Sequence, residues 1–173
     1  MNESKMSKQI SAVVFDMDGV IFDTETRYIE CWRKVGAGYG IEGAFMDRAS
    51  RAVIGITESA AARILTEMVG DRFDAMTAIQ QTDQLFRDTY GYNVPKMKGV
   101  DEILVRLRNA GIKTAIASSS KHDVVLAELK AASIDQYFDA LICGDMVTRS
   151  KPAPDIFLKA CQVLHADPSK AFG

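Results

Sequence analysis

The chain is poor in the residues from which several kinds of site are built. Its softer metal ligands are two histidines, His122 and His165, and three cysteines, Cys31, Cys143 and Cys161. The cysteines are scattered and odd in number, with no pair at a metal-like spacing, which argues against a zinc site and against a disulfide framework. They read as small apolar residues in a reducing compartment. There is no basic excess. Lysine and arginine total 21 against 23 acidic residues, a formal charge of −2. A nucleic-acid or anionic-membrane partner would need a basic surplus or stripe. No run approaches the ~20 apolar residues of a membrane span. The polar stretch Met1–Gln9 is followed by no apolar signal core. A cytoplasmic protein is the expectation. At 173 residues, 47% hydrophobic and 25% charged, the chain suits one globular domain, or one domain with an insertion.

What the chain does have is concentrated first in Val13-Val14-Phe15-Asp16-Met17-Asp18-Gly19. A β-branched apolar run, Ile10–Phe15, reads as a buried strand. Residues two apart in an extended segment share a side, so Asp16 and Asp18 face one space and Met17 the other. Two acids so close repel unless a cation or shared proton lies between them. Oxygen-only ligands of this kind suit Mg²⁺.

Taken in order, Thr24–Tyr39 reads as a helix capped by Thr24. Helical patches follow over Ala44–Val53, Glu58–Val69 and Phe73–Tyr90. Thr57, in the turn Gly55–Glu58, can cap the third of these four helices. From Val94-Pro95 the pattern changes to helices alternating with strands: helix Val100–Ala110, strand Ile112–Ala117, helix Asp123–Ala132, strand Tyr137–Cys143, helix Pro154–His165, and the opening of a fourth strand at Ala171-Phe172. The last helix shows an apolar face of Ile156, Phe157, Ala160, Val163 and Leu164. The predicted fold is α/β, a Rossmann-like parallel sheet over 1–23 and 94–173, with a helical bundle inserted over 24–93. Sites in such sheets lie at the carboxyl ends of strands. The acid pair, Ser118-Ser119-Ser120 and Lys151 all fall at or beyond such ends.

Each motif has a chemical and a plain structural reading. A carboxylate such as Asp16 can attack phosphorus, and a second acid, Asp18, can protonate the leaving oxygen and then activate water. The plain alternative is an Asp-Gly turn. Ser118, with backbone N–H groups beside it, can cradle a phosphoryl oxygen, or the serine run can simply cap a helix. Lys151, ahead of Pro152 and Pro154, can offset phosphoryl charge from a stiff backbone, or can be a solvated turn lysine. Arg149 reads as that solvated kind, His122 as a helix-start residue facing water, and His165 as a helix-end residue.

Together these residues resemble the haloacid dehalogenase-like superfamily of hydrolases. Phe15-Asp16-Met17-Asp18-Gly19 is similar to its first motif, Ser118 to its second, and Lys151-Pro152-Ala153-Pro154-Asp155 to its third. The continuation Val20–Glu25 resembles the branch with a helical cap inserted after the first motif, which includes phosphoglycolate phosphatases and β-phosphoglucomutases. The resemblance implies a Mg²⁺-dependent phosphatase acting on a small phosphomonoester, such as a sugar phosphate, through an aspartyl phosphate. Asp16 is then nucleophile and metal ligand, and Asp18 is the acid/base and offers its backbone carbonyl to the metal. Ser118, Ser119, Lys151 and the Met17 backbone N–H would hold the phosphoryl group. Glu25, Tyr28 and Thr57 are candidate substrate residues of a cap that closes and excludes water.

The family's fourth motif, an acid just past the fourth strand, does not occur before Gly173. If the chain ends there, weak Mg²⁺ binding, a raw sheet edge and little turnover are expected. The mutase type carries a histidine in the cap's first helix, where this chain has Tyr28, so a phosphatase is favoured over a mutase. A receiver domain would carry no helical insertion there. A non-catalytic binding protein is the remaining alternative.

Overall fold

The computed structural model describes residues 10–54, 58–70, 73–149 and 151–173. They fall into two compact units, Asp23–Gly91 and the pair of segments Met1–Phe22 with Tyr92–Gly173.

The helical unit contains α1 (Thr24–Gly38), α2 (Gly43–Ala52), α3 (Glu58–Val69) and α4 (Ala75–Tyr90). Each is amphipathic and too short to persist alone, so its stability comes from the shared core. Trp32, Met46, Ala49, Leu65, Phe73, Ala78 and Ile79 form that core. The expected cap of α1 is displaced by one residue. Asp23 occupies the N-cap position with non-helical dihedrals, and Thr24 is already helical. The Thr24 hydroxyl is buried and has no hydrogen-bond partner among the described residues. The fourth helix starts at Ala75 rather than Phe73 because Asp74 caps it, accepting from the Thr77 backbone N–H at 3.1 Å and from the Thr77 hydroxyl at 2.7 Å. The Gly55–Glu58 turn lies in large part outside the described residues, and Thr57 wholly so.

The α/β unit has four strands, β1 (Ala12–Phe15), β2 (Lys113–Ala117), β3 (Ala140–Ile142) and β4 (Ala171–Phe172), in the order β3-β2-β1-β4. All neighbours pair in parallel, with Val14 opposite Ala115 and Ile116 opposite Leu141. The connecting helices are α5 (Val100–Asn109), α6 (His122–Ala131) and α7 (Asp155–Val163). Ala12, Val14, Ala115, Ala117 and Ile142 pack with Ile156, Ala160, Cys161 and Leu164. Val163, expected on that apolar face, is instead 48% exposed and takes no part in this core. The alternate residue Ile116 is fully buried too, as β2 requires when both its faces are covered.

Several boundaries of this unit differ from the sequence expectation. The first strand begins at Ala12, and Ile10 is 44% exposed. The third begins at Ala140, after a short 3₁₀ turn at Asp135–Tyr137. Asp139 delays its start by accepting from the Thr114 N–H at 2.8 Å through its side chain. Pro154 is the N-cap of α7 rather than a residue of its first turn. The direction of the chain across the sheet reverses between β1 and β4, and such a reversal opens a crevice at the carboxyl ends.

Candidate active site

Asp16 stands immediately past the carboxyl end of β1, with its side chain 41% exposed. Its Oδ1 accepts from the Met17 backbone N–H at 2.7 Å and lies 2.7 Å from Lys151 Nζ. The Met17 N–H, expected at a phosphoryl oxygen, is thus engaged by the neighbouring carboxylate. The Met17 side chain is 1% exposed and anchors the backbone between the two acids. Beyond Asp18 the chain turns at Gly19, whose φ of 71° suits glycine. The N–H groups of Ile21 and Phe22 return to the Met17 carbonyl at 2.9 and 3.1 Å. That turn fixes Asp18 two residues from Asp16 and opens the segment into the fully buried Phe22.

Lys151 connects the ends of two strands. Besides Asp16, its Nζ donates to the Ala117 carbonyl at 2.8 Å, the last residue of β2. The ammonium also lies 5.3 Å from the centre of the Phe157 ring on α7, within cation–π range. Its side chain is only 23% exposed, so it is no solvated turn lysine.

Ser118 follows Ala117 and is fully buried. Its N–H continues the ladder to the Ile142 carbonyl at 3.0 Å, and its Oγ accepts from the Ser120 N–H at 3.1 Å. The serine run does not cap α6. Lys121 holds the N-cap position, and no side chain caps there. Ser119 is exposed beside it. Asp16, Met17, Asp18, Ser118, Ser119 and Lys151 all belong to the α/β unit. Glu25 and Tyr28 belong to the helical unit, where Glu25 is exposed and the Tyr28 ring stacks on Phe86 with centroids 4.1 Å apart.

Several residues near these groups carried no motif in the sequence. Gly144 follows β3, and a Cβ there would stand 2.2 Å from the Ser119 carbonyl oxygen. The Gly144 N–H donates to the Ser120 carbonyl at 3.0 Å. Only glycine lets these two loops meet so closely. Arg149, expected to be a solvated turn residue, is 71% exposed and also grips Asp155 with two hydrogen bonds of 2.7 Å. Hydrogen bonding to that guanidinium holds the Asp155 carboxyl below its ordinary value. Glu128, on α6, is 9% exposed. Burial first, and the charge of Asp18 second, push its carboxyl up to about 7. Glu128 shares the buried face of α6 with Val125 and Leu129, a placement that packing decides. Burial and the nearby Asp145 push the Cys143 thiol up to about 11, so it is no thiolate nucleophile at neutral pH.

Among the described residues no group of three or more His, Cys, Asp or Glu is set to hold a metal ion. One or two carboxylates at one strand end are nevertheless the protein share that Mg²⁺ commonly takes when waters and a phosphate complete its shell. Asp16 and Asp18 fit that demand in number and in ligand hardness.

A family model described as haloacid dehalogenase-like hydrolase matches residues 13–172. A phosphorylated carbohydrates phosphatase of Thermotoga maritima is 30% identical over 161 residues, covering 93% of this chain and 74% of that protein. The fructose-1-phosphate phosphatase YqaB of Escherichia coli K12 is 27% identical, with 95% and 86% covered. A crystal structure provisionally named as a β-phosphoglucomutase, from Thermotoga maritima, superposes with a TM-score of 0.72 at 30% identity, covering 94% of this chain and 74% of that one.

Proposed function

Because the chain belongs to the haloacid dehalogenase-like hydrolases, we propose that it is a phosphatase that removes phosphate from a small phosphorylated carbohydrate, with Mg²⁺, through an aspartyl-phosphate intermediate. The observation that carries this reading is Lys151 Nζ lying 2.7 Å from Asp16 Oδ1 while anchored on the Ala117 carbonyl. A carboxylate oxygen can attack phosphorus, and the contact with a fixed ammonium orients the Asp16 carboxylate at the strand end. The same ammonium offers charge to the phosphoryl oxygens as they approach Asp16.

In the first step an Asp16 oxygen forms a bond to phosphorus as the phosphorus–ester oxygen bond breaks. The leaving alkoxide takes a proton from the Asp18 carboxylic acid. In the second, the Asp18 carboxylate takes a proton from water, the water oxygen bonds to phosphorus, and the bond from Asp16 breaks to release inorganic phosphate. One acid thus serves as donor and then as acceptor. Ser118 and Ser119, at the end of β2, would contact the phosphoryl group. The Asp16 carboxylate and the Asp18 backbone carbonyl would hold Mg²⁺, which would supply positive charge that offsets the phosphoryl charge. The helical unit would act as a cap that selects the substrate, with Glu25, Tyr28 and Thr57 as candidate contacts.

The kind of substrate rests on relatives that are named for phosphorylated carbohydrates and fructose 1-phosphate. A sugar-phosphate mutase is the second reading, favoured by the structural neighbour named for that activity. Both histidines lie outside Asp23–Gly91, which leaves that unit without the imidazole such a transfer would use. Supplying a phosphorylated hexose to the full-length protein separates the two. Release of inorganic phosphate, abolished by Asp16→Asn, is expected. An isomeric sugar phosphate without free phosphate, or phosphate release that survives Asp16→Asn, refutes the assignment.

A further inference from the structure

Lys151 leads into Pro152-Ala153-Pro154, where two of three residues lack a backbone N–H donor. Main-chain hydrogen bonding therefore cannot tie this loop down as a helix or strand is tied. What fixes the lysine must come from outside the loop's own backbone. On one side it is α7, which begins at Asp155 and buries Ile156 and Ala160 in the sheet core. On the other side it is Arg149. Arg149 Nε donates to Asp155 Oδ2, and a terminal guanidinium nitrogen donates to Asp155 Oδ1, each at 2.7 Å. The two ends of the loop that carries Lys151 are thus joined by a fork-on-carboxylate pair, the geometry that constrains direction as well as distance.

The two partners are unequally placed. Asp155 is 24% exposed at the start of α7, whereas Arg149 is 71% exposed. An aspartate in the first helical turn already suits the helix dipole, so a helix-stabilising role alone would need no arginine. The arginine adds a fixed closure of the loop, and inside the closure sits the Lys151 ammonium, which reaches both Asp16 and the end of β2.

We propose that Arg149 and Asp155 are positioning residues, a bidentate clamp that closes the lysine loop and holds Lys151 at the phosphoryl site. The proposal rests on the phosphatase reading above. Neither residue touches the reacting atoms. Their effect passes through Lys151, and this distinguishes the clamp from a merely structural ion pair.

The test uses the full-length protein with p-nitrophenyl phosphate as probe substrate and inorganic phosphate as probe ligand, the latter measured by calorimetry. Arg149→Gln and Asp155→Asn are each expected to lower kcat/KM and phosphate affinity roughly tenfold. That lies between the small worth of an ordinary exposed ion pair and the ~100-fold cost of an ångström of misplacement in a site. The double variant should be no worse than either single one, because both break the same clamp. Arg149→Lys keeps the charge but loses the fork, and should recover only part of the loss. In a Lys151→Ala background, Arg149→Gln should have no further effect on phosphate affinity. An effect that persists at full size in that background overturns the proposal, as does kcat/KM within twofold of wild type for both single variants. Full recovery by Arg149→Lys also overturns it. If the wild-type protein binds phosphate but hydrolyses no ester, the phosphatase reading fails, and the clamp stands or falls on the affinity series alone. If the wild type binds no phosphate, both fail.

Discussion

Replacing Glu128 by glutamine should make the protein more stable at neutral pH and leave it unchanged in mild acid. Glu128 is buried on α6, and its carboxyl is pushed from 4.5 in the unfolded chain up to about 7 in the folded one, by burial first and by the Asp18 charge second. Between those values the folded state binds the proton more tightly than the unfolded state. Stability therefore falls as pH rises through that window and is level above it. The gap is about 2.5 in pKa, and at ~1.36 kcal/mol for each it sets a ceiling of about 3 kcal/mol. Water reaching the carboxyl and local relaxation reduce this, so about 1–2 kcal/mol is the expected cost of ionised Glu128 at pH 8. Glutamine keeps the shape and cannot ionise. Urea unfolding of both proteins, in a chelator so that metal binding does not enter the balance, should give equal stability near pH 4 and a lead of about 1–2 kcal/mol for Glu128→Gln at pH 8. A difference that stays constant from pH 4 to pH 8 refutes the reasoning, and so does a lead for the wild type at high pH.

Two further outcomes follow from the site's geometry. Lys151→Ala removes the partner of Asp16 and the donor to Ala117; kcat/KM for a phosphomonoester should fall about 10²–10³-fold, measured as released phosphate, with circular dichroism unchanged. Gly144→Ala forces a Cβ to within 2.2 Å of the Ser119 carbonyl; a loss of about 1–3 kcal/mol in unfolding free energy should accompany weaker phosphate binding, because the displaced loop carries Ser118 and Ser119.

Much of the fold was legible because the signals were periodic. The four helices of Asp23–Gly91 announced themselves by apolar spacing, and α3 begins and ends where its pattern does. The strands were legible as apolar runs between turns. Their edges were not, because a strand's start depends on partners far along the chain: Asp139 holds back β3 through a bond to Thr114, 25 residues earlier. Asp16, Asp18 and Lys151 could be singled out as candidates because the acids end an apolar run and the lysine precedes Pro152 and Pro154. Arg149, Glu128 and Gly144 could not. A solvated arginine and a clamped one are identical in sequence. The burial of Glu128 is decided by packing, and the need for glycine at 144 arises from a contact with Ser119 that only the folded sheet creates.

The hold of Lys151 on Asp16 also has a history during synthesis. The two residues are separated by 135 positions, and at roughly 5–20 residues per second a ribosome needs about 7–27 s to deliver the second after the first. β1 waits as well, since its partner β2 begins only at Lys113. The interval is filled by Asp23–Gly91, whose contacts are made within its own stretch of chain and can form at once. The nascent protein therefore carries a folded helical unit and an unpaired apolar strand ending in two acids. The meeting of ammonium and carboxylate therefore comes after the contacts within the helical unit rather than before them.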